Sequence, residues 1–176
     1  MILKLRQTPG VYLVGFVAVG KTTIGRLLAD RLGWNFVDID EEIEAREQRS
    51  IADIFDTLGE QAFRGMETAA IAERVRAVAC GRPTVMALGG GAAAQPGNFE
   101  LLENHGVTIW LSCSFDTVVR RVSQDSTRPL ARDEKKFEEL FVERQQHYGR
   151  ADYRVEIECD DPAVAVEAIL NLPLFR

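Results

Sequence analysis

The residues best suited to chemistry lie near the start of the chain, in a segment that reads G-F-V-A-V-G-K-T from Gly15 to Thr22. The segment matches G-x-x-x-x-G-K-[ST], a pattern in which the backbone N–H groups of a glycine-rich loop surround phosphate oxygens. Lys21 is spaced to reach the β- and γ-phosphates of a nucleoside triphosphate, and the Thr22 hydroxyl to bind Mg²⁺. Average composition produces this pattern by chance roughly once in a hundred chains of this length, so we predict a triphosphate site.

Two carboxylates stand at the predicted end of the second strand. Asp38 and Asp40 are separated by one residue, and alternation along an extended chain would put both side chains on the same side. Ligands of open α/β sheets bind outside the carboxyl ends of the strands. One carboxylate could then reach the magnesium ion while the other accepts a hydrogen bond from an acceptor hydroxyl. A structural interpretation stays open, because Asp38 with Glu41 also fits a capping box.

Glycines and arginines supply the remaining candidates. Gly89–Gly91 follow the third strand and would let a ligand approach the backbone, although a flexible turn explains them equally well. Arg128 precedes Pro129 in a polar segment at about 123–136. We expect this segment to form a lid, whose arginine would stabilise charge on the transferring phosphate. Taken singly, the other arginines are typical of solvated surface: Arg64, Arg120, Arg121, Arg144 and Arg150.

Strand-like and helix-like segments alternate along the chain and must position these residues. Short apolar runs predict strands at 11–14, 35–39, 84–88, 107–111 and 154–158. Helical spacing predicts helices at 22–32, 41–46, 51–58, 61–79, 96–104, 115–123, 137–148 and 162–170. This alternation indicates a parallel sheet covered on both faces, a three-layer α/β/α fold. The 176 residues fit a single domain spanning 1–176.

The composition argues against several other functions. The net charge is −6, and affinity for a nucleic-acid backbone needs clustered positive charge, so we expect no nucleic-acid partner. The three cysteines are too widely spaced for a metal site or a disulfide framework, which predicts reduced thiols. The chain shows no signal-peptide pattern and no apolar run long enough to cross a bilayer. We therefore expect a cytoplasmic protein without a membrane partner. We also expect a monomer.

Motifs of other enzyme classes are missing from the sequence. His105 and His147 match no serine or cysteine nucleophile elbow, and G-x-S-x-G is absent. The guanine-selecting tetrapeptide N-K-x-D is absent as well. Because the chain is barely longer than a minimal nucleotide-binding core, we expect a kinase for a small metabolite or a nucleotide.

The ordered set of motifs resembles the shikimate kinase family from about residue 11 to 170. The motifs, as they stand here, are G-F-V-A-V-G-K-T-T-I-G-R, F-V-D-I-D, G-E-Q-A-F-R, L-G-G-G, R-P-L and E-R-Q-Q-H-Y. The resemblance implies a P-loop kinase fold with a five-stranded parallel sheet in the order 2-3-1-4-5. It also implies transfer of the γ-phosphate of ATP, with Mg²⁺, to the 3-hydroxyl of shikimate in chorismate and aromatic amino acid biosynthesis.

The resemblance assigns a role to each matching residue. Asp40 would bind the shikimate hydroxyls and act as the base, while Asp38 and Thr22 would hold magnesium. Guanidinium forks suit the carboxylate of a small anionic polyol. The implied catalytic residues are Lys21, Asp40 and Arg128. The implied ATP-binding residues are Gly15, Ala18, Val19, Gly20, Lys21, Thr22, Thr23, Arg121, which would stack on adenine, and Arg128. The implied substrate-binding residues are Asp40, Arg64, Gly89, Gly90, Gly91 and Arg144.

The chain departs from the family pattern at a few positions. The family usually has glycine where Ala18 stands, and alanine is unstrained there only if its φ stays below zero. Ala131 follows R-P-L in place of a second leucine, and residues 145–147 differ from the usual proline and leucine. Two alternatives stay open: a kinase for another hydroxy acid such as gluconate, and a non-catalytic ligand-sensing module. Loss of Lys21, Asp40 or the arginines would favour the second, and all are present.

Overall fold

Five parallel strands form one sheet in the order β2-β3-β1-β4-β5, the order that the family resemblance implied. The structure is a computed structural model, and it describes residues 10–103, 105–124 and 134–175. The strands are β1 (Gly10–Val14), β2 (Asn35–Asp38), β3 (Thr84–Ala87), β4 (Gly106–Ser112) and β5 (Tyr153–Glu156). Every residue of β1 and β3 is buried, because helices cover both faces of the sheet.

Helices follow the strands in the expected alternation. They are α1 (Lys21–Leu32), α2 (Ile39–Glu47), α3 (Ile51–Leu58), α4 (Glu60–Ala79), α5 (Asn98–Leu102), α6 (Phe115–Gln124), α7 (Glu134–Tyr148) and α8 (Pro162–Leu170). Short 3₁₀ helices cover Ala92–Ala94 and Pro173–Phe175. The three-layer α/β/α fold is therefore confirmed. Among the described residues, no helix combines the length and the apolar character that crossing a membrane requires.

The strand register brings the candidate residues to one edge of the sheet. Leu13 of β1 pairs with Ala87 of β3 and with Ile109 of β4, and Ala87 pairs in turn with Asp38 of β2. The carboxyl ends of these four strands therefore lie in one row. The loop after β1, the start of α2 and the glycines after β3 all begin at this row, so the fold gathers the phosphate loop, Asp38, Asp40 and Gly89–Gly91 there.

One predicted boundary is wrong in a way that affects the site. Helix α2 begins at Ile39, so Asp40 lies in the first turn of a helix and is not part of the strand. The cause is a cap, because the Asp38 carboxylate accepts hydrogen bonds from the backbone N–H groups of Asp40 at 3.0 Å and Glu41 at 3.3 Å. The expectation that strand alternation aligns the side chains of Asp38 and Asp40 is therefore incorrect.

The segment after β3 also differs from its prediction. A single helix was expected at 96–104, whereas a 3₁₀ turn at Ala92–Ala94 precedes the short helix α5. Gly97 has a left-handed backbone with φ of 88°, which stops the helix from starting earlier. The Asn98 side chain donates to the Ala92 carbonyl at 2.9 Å and ties the two turns together.

Candidate active site

The loop from β1 to α1 is the candidate phosphate loop. Gly15 and Gly20 have positive φ values of 151° and 101°, backbone conformations that favour glycine. The Lys21 ammonium folds back over the loop and donates to the carbonyls of Gly15 at 2.8 Å and Phe16 at 2.9 Å. No acidic residue occupies the first turn of α1, so the positive end of the helix is left available to an anion.

Ala18 sits inside this loop in a left-handed conformation, with φ of 61°. Alanine would be unstrained here only with φ below zero, so Ala18 is in a strained conformation. For a residue with a Cβ, this conformation is less favourable by roughly 1–2 kcal/mol. The carbonyls of Ala18 and Val19 both accept from the Arg121 guanidinium at 3.1 Å, so this part of the loop is tied to α6.

We expect Ala18→Gly to raise the free energy of unfolding by about 1 kcal/mol, since glycine relieves the left-handed strain and loses part of that gain to a freer unfolded chain. Urea denaturation measures this change. The matched control is Ala45→Gly in the interior of α2, which should lower the free energy of unfolding by about 1 kcal/mol. Equal destabilisation by both substitutions would contradict the strain at Ala18.

Thr22 and Asp38 form the candidate magnesium pair. The Thr22 hydroxyl donates to Asp38 Oδ2 at 2.6 Å, while the Oδ1 atom of the same carboxylate caps α2. Asp38 is therefore the N-cap of α2, although the Glu41 side chain pairs with Arg26 instead of completing a capping box. The magnesium role of Asp38 stays a prediction. A hydroxyl and a carboxylate held together beside a phosphate loop are the oxygen ligands that Mg²⁺ takes in nucleotide sites, so the residues fit the ion.

Asp40 is the candidate base, and its carboxyl lies deep in the cleft. Its Oδ1 atom is fully buried and has no hydrogen-bond partner within the part of the chain that the structure describes. Burial raises the pKa of Asp40 to about 6, the neighbouring Asp38 adds to the rise, and Lys21 and Arg64 oppose it. A carboxyl group with this pKa is largely ionised at neutral pH while it remains a useful proton acceptor.

The glycines after β3 allow two carboxylates to approach the backbone. A Cβ atom on Gly89 would lie 2.6 Å from Glu67 Oε1 and 2.8 Å from Asp40 Oδ1. A Cβ atom on Gly91 would overlap the guanidinium of Arg64. Close approach of acidic and basic groups therefore explains these glycines better than a flexible turn does.

The two predicted carboxylate-binding arginines border the same floor. Arg64 donates to Glu67 Oε2 at 2.9 Å and to Glu60 at 3.2 Å. Its Nε atom is buried and has no hydrogen-bond partner among the described residues. The Arg144 guanidinium lies 5.8 Å from the centre of the Phe16 ring. It is also close to Gly90, since a Cβ atom there would lie 3.4 Å from Arg144 Nη1. Two guanidiniums thus border one small space.

Two neighbouring cavities run along the phosphate loop and share Ala18, Gly20 and Thr23 in their walls. The cavity of about 240 Å³ also contacts Lys21, Thr22, Asp38, Asp40 and Gly90. The cavity of about 390 Å³ contacts Val19, Arg121 and Asp160. The first has the charges for phosphate and acceptor, and the second has the size and position for the rest of a nucleotide.

The structure brings most of the predicted site residues together. Arg128 and most of the predicted lid lie outside the described residues. Of the other arginines, Arg120 pairs with Asp160, and Arg150 pairs with Glu100 and Glu103 on the surface. Three further residues lie at the site, although no sequence pattern gave them a role: Glu67, Tyr148 and Asp160. The Tyr148 hydroxyl donates to the Gly90 carbonyl at 2.5 Å.

Glu67 carried one signal that could have revealed it. It stands three residues after Arg64 on α4, a spacing at which helical side chains meet. Its burial could not be read from that spacing, and burial is what raises the pKa of Glu67 against the opposing influence of Arg64. Asp160 carried no local signal, because its partner Arg121 is 39 residues away along the chain.

A phosphate loop on a 2-3-1-4-5 parallel sheet, beside a buried carboxyl with an elevated pKa, defines a small kinase of the P-loop class. A family model described as shikimate kinase matches residues 17–172. The chain belongs to the shikimate kinase family and is an ATP-dependent kinase.

Individual relatives agree with the family model. A shikimate kinase from Persephonella marina is 40% identical over 162 residues, covering 92% of this chain and 96% of that protein. The structure of a shikimate kinase from Acinetobacter baumannii in complex with shikimate matches with a TM-score of 0.87 at 35% identity, covering 96% of this chain and 94% of that one. A gluconokinase from Sinorhizobium meliloti, at 16% identity and a TM-score of 0.58, shares the fold alone.

Proposed function

We propose that the chain transfers the γ-phosphate of ATP to the 3-hydroxyl of shikimate, giving shikimate 3-phosphate and ADP in aromatic amino acid biosynthesis. The observation that carries the proposal is the placement of Asp40. Its carboxyl lines the same cavity as Lys21 and Thr22. Its buried Oδ1 atom lies against Gly89, next to Glu67 and within the electrostatic influence of Arg64. A proton acceptor there lies between a phosphate site and a carboxylate site, as the transfer requires.

The phosphate loop would hold the triphosphate. Lys21 donates to two loop carbonyls, at 2.8 and 2.9 Å, and a short swing of its flexible stem would bring the ammonium to the β- and γ-phosphates. The N-terminus of α1 adds backbone donors. Bound ATP would extend into the larger cavity, along Val19, Gly20, Thr23 and Arg121.

Thr22 and Asp38 would hold the magnesium ion, Thr22 directly and Asp38 through water. When bound, the ion supplies positive charge that offsets the charge of the phosphate oxygens. The 2.6 Å hydrogen bond between the two side chains keeps their oxygens together before any ion arrives. The capping bond from Asp40 N–H to Asp38 Oδ1 fixes the position of the carboxylate.

Asp40 would accept the proton of the acceptor hydroxyl as that oxygen attacks the γ-phosphorus. The bond between the γ-phosphorus and the β–γ bridging oxygen breaks, and ADP leaves with the electron pair. Arg64 and Arg144 would hold the carboxylate of the acceptor, and Gly89, Gly90 and Gly91 would line its floor. Arg128 stays a prediction for the lid, which by closing would exclude water and prevent hydrolysis of ATP.

The direct test is ADP release by purified protein with ATP, Mg²⁺ and shikimate, read through a coupled assay. We expect release to depend on shikimate, with gluconate and other hydroxy acids giving little. Gluconate-dependent release without a response to shikimate would favour the rival acceptor, since Arg64 and Arg144 suit any small carboxylate. ATP binding without release under any acceptor would favour the ligand-sensing alternative.

Several broader expectations also remain proposals. We propose a single domain over residues 1–176, a monomer, a cytoplasmic location and no nucleic-acid partner. The acidic net charge of −6 supports the last of these. The three cysteines are all free thiols, which is consistent with a reducing compartment. Light scattering coupled to size-exclusion chromatography measures the oligomeric state.

A further inference from the structure

Asp160 joins two neighbouring arginines of α6 to the segment between β5 and α8. Its carboxylate accepts from Arg120 Nη1 at 2.9 Å and from Arg120 Nη2 at 3.0 Å. Its Oδ1 atom also accepts from Arg121 Nε at 3.1 Å and from Arg121 Nη2 at 2.8 Å. The two guanidiniums hold the pKa of Asp160 below its usual range. Asp160 lies at the wall of the larger cavity, next to Cys159 and Arg121.

Arg121 is held from the opposite side by the phosphate loop. Its Nη1 atom donates to the carbonyls of Ala18 and Val19, both at 3.1 Å, and Nη2 also reaches the Cys159 carbonyl at 3.4 Å. All three guanidinium nitrogens therefore have partners. The Arg121 side chain is only 19% exposed, whereas that of Arg120 is 53% exposed. The two arginines share one carboxylate, but only Arg121 forms part of the cavity.

We propose that Asp160 is a positioning residue for nucleotide binding, which fixes the Arg121 guanidinium as one wall of the pocket for the base before ATP arrives. This inference rests on the proposed function and on the proposed role of Arg121 against adenine. A free arginine side chain has about 2 kcal/mol of rotamer entropy to lose. When the empty enzyme has already ordered that side chain, ligand binding does not have to supply the ordering free energy.

Removing Asp160 has a second, opposite effect through charge. Two arginines would be left without their carboxylate, and their positive charge attracts the nucleotide phosphates over a distance. Ionic strength separates the two effects, because salt screens the attraction between exposed charges that lie further apart than the Debye length. The Debye length falls from about 8 Å at 0.15 M salt to about 3 Å at 1 M. The ordering of Arg121 by the loop carbonyls and Asp160 involves direct contacts, which are less sensitive to salt.

The experiment is calorimetric titration of ADP with Mg²⁺ into wild-type protein, Asp160→Ala and Asp160→Glu at about 0.15 M and about 0.5 M salt. We expect Asp160→Ala to weaken ADP binding by about fivefold at the higher salt, the size of a well-formed exposed ion pair. Asp160→Glu should recover most of the affinity, because its longer side chain can still reach Arg121. The matched control is Glu167→Gln, which removes an exposed ion pair with Arg31 outside the nucleotide cavity and should leave the affinity unchanged.

Steady-state kinetics distinguish positioning from a general structural defect. Asp160→Ala should raise the KM for ATP while the KM for shikimate and kcat stay within about twofold. A general structural defect would instead raise both KM values and lower kcat. ADP affinity in Asp160→Ala that is unchanged or tighter at about 0.5 M salt would overturn the inference and leave the proposed function standing. Failure of the wild-type protein to bind ADP would overturn both.

Discussion

Asp40→Asn is expected to lower kcat by about 10²- to 10⁴-fold, the range that a positioned general base contributes. Asparagine keeps the shape and the backbone N–H that Asp38 caps, but its amide cannot accept a proton from the acceptor hydroxyl. The affinity for ADP should stay within about twofold, since the nucleotide contacts other residues. Rapid-quench or coupled kinetics with calorimetric ADP binding measure both quantities.

The pH dependence of the wild-type enzyme tests the same carboxyl independently. Because burial raises the pKa of Asp40 to about 6, kcat/KM for shikimate should rise about tenfold per pH unit below pH 6 and level off above it. Asp40→Asn should lose this acidic limb from its residual activity. A limb centred near pH 4 in the wild type would indicate that Asp40 does not have the environment described.

The raised pKa of Asp40 also makes the free energy of unfolding depend on pH. The folded-state pKa of about 6 lies above the usual value of 3.8, so the folded protein binds this proton more tightly than the unfolded chain does. The contribution of Asp40 to the free energy of unfolding therefore falls as pH rises from about 4 to about 6, and then stays constant. Asp40→Asn should remove that part of the pH dependence.

The matched control for Asp40→Asn is Asp30→Asn, the same chemical change at an exposed position in α1. It should leave kcat and the pH profile unchanged. A loss of activity in Asp40→Asn that disappears with excess shikimate would contradict a role in the chemical step. That result would place Asp40 in acceptor binding alone.

The fold followed from the sequence because its signals were local and repeated. The apolar run at 11–14 forms strand β1, and the segment with helical spacing at 22–32 forms helix α1. The predicted boundaries failed where one side chain decides them, as at the start of α2. The sequence left Asp38 open as a cap or as a magnesium ligand, and in the structure one carboxylate oxygen caps α2 while the other accepts from Thr22.

Only those residues of the candidate site that belong to recognisable sequence motifs could be predicted. The phosphate loop, Asp40 and the glycines after β3 converge because the parallel sheet puts their segments in one row. Arg64 and Arg144 reach the same glycines from α4 and α7. The supporting residues escaped prediction, since a glutamate on a helix or an aspartate in a turn is normally solvated. Only the fold shows that Glu67 is completely buried.

Glu67→Ala is expected to lower the free energy of unfolding by roughly 2–4 kcal/mol, because it leaves a mostly buried guanidinium without its principal partner. Glu67 is 0% exposed, and its Oε2 atom accepts from Arg64 Nη1 at 2.9 Å. The Arg64 side chain is 15% exposed, and its remaining partner Glu60 is 64% exposed and therefore mostly hydrated. Urea denaturation at neutral pH measures the change.

Two variants show whether the buried position of Glu67 is what matters. Glu60→Ala removes the other carboxylate from the same Arg64, and an exposed ion pair is worth about 1 kcal/mol or less. Glu67→Gln should be milder than Glu67→Ala, because an amide oxygen can still accept from Arg64. A loosened Arg64 should also raise the KM for shikimate in Glu67→Ala more than in Glu60→Ala. Equal losses of stability in the two alanine variants would mean that the buried pair does not hold Arg64 in place.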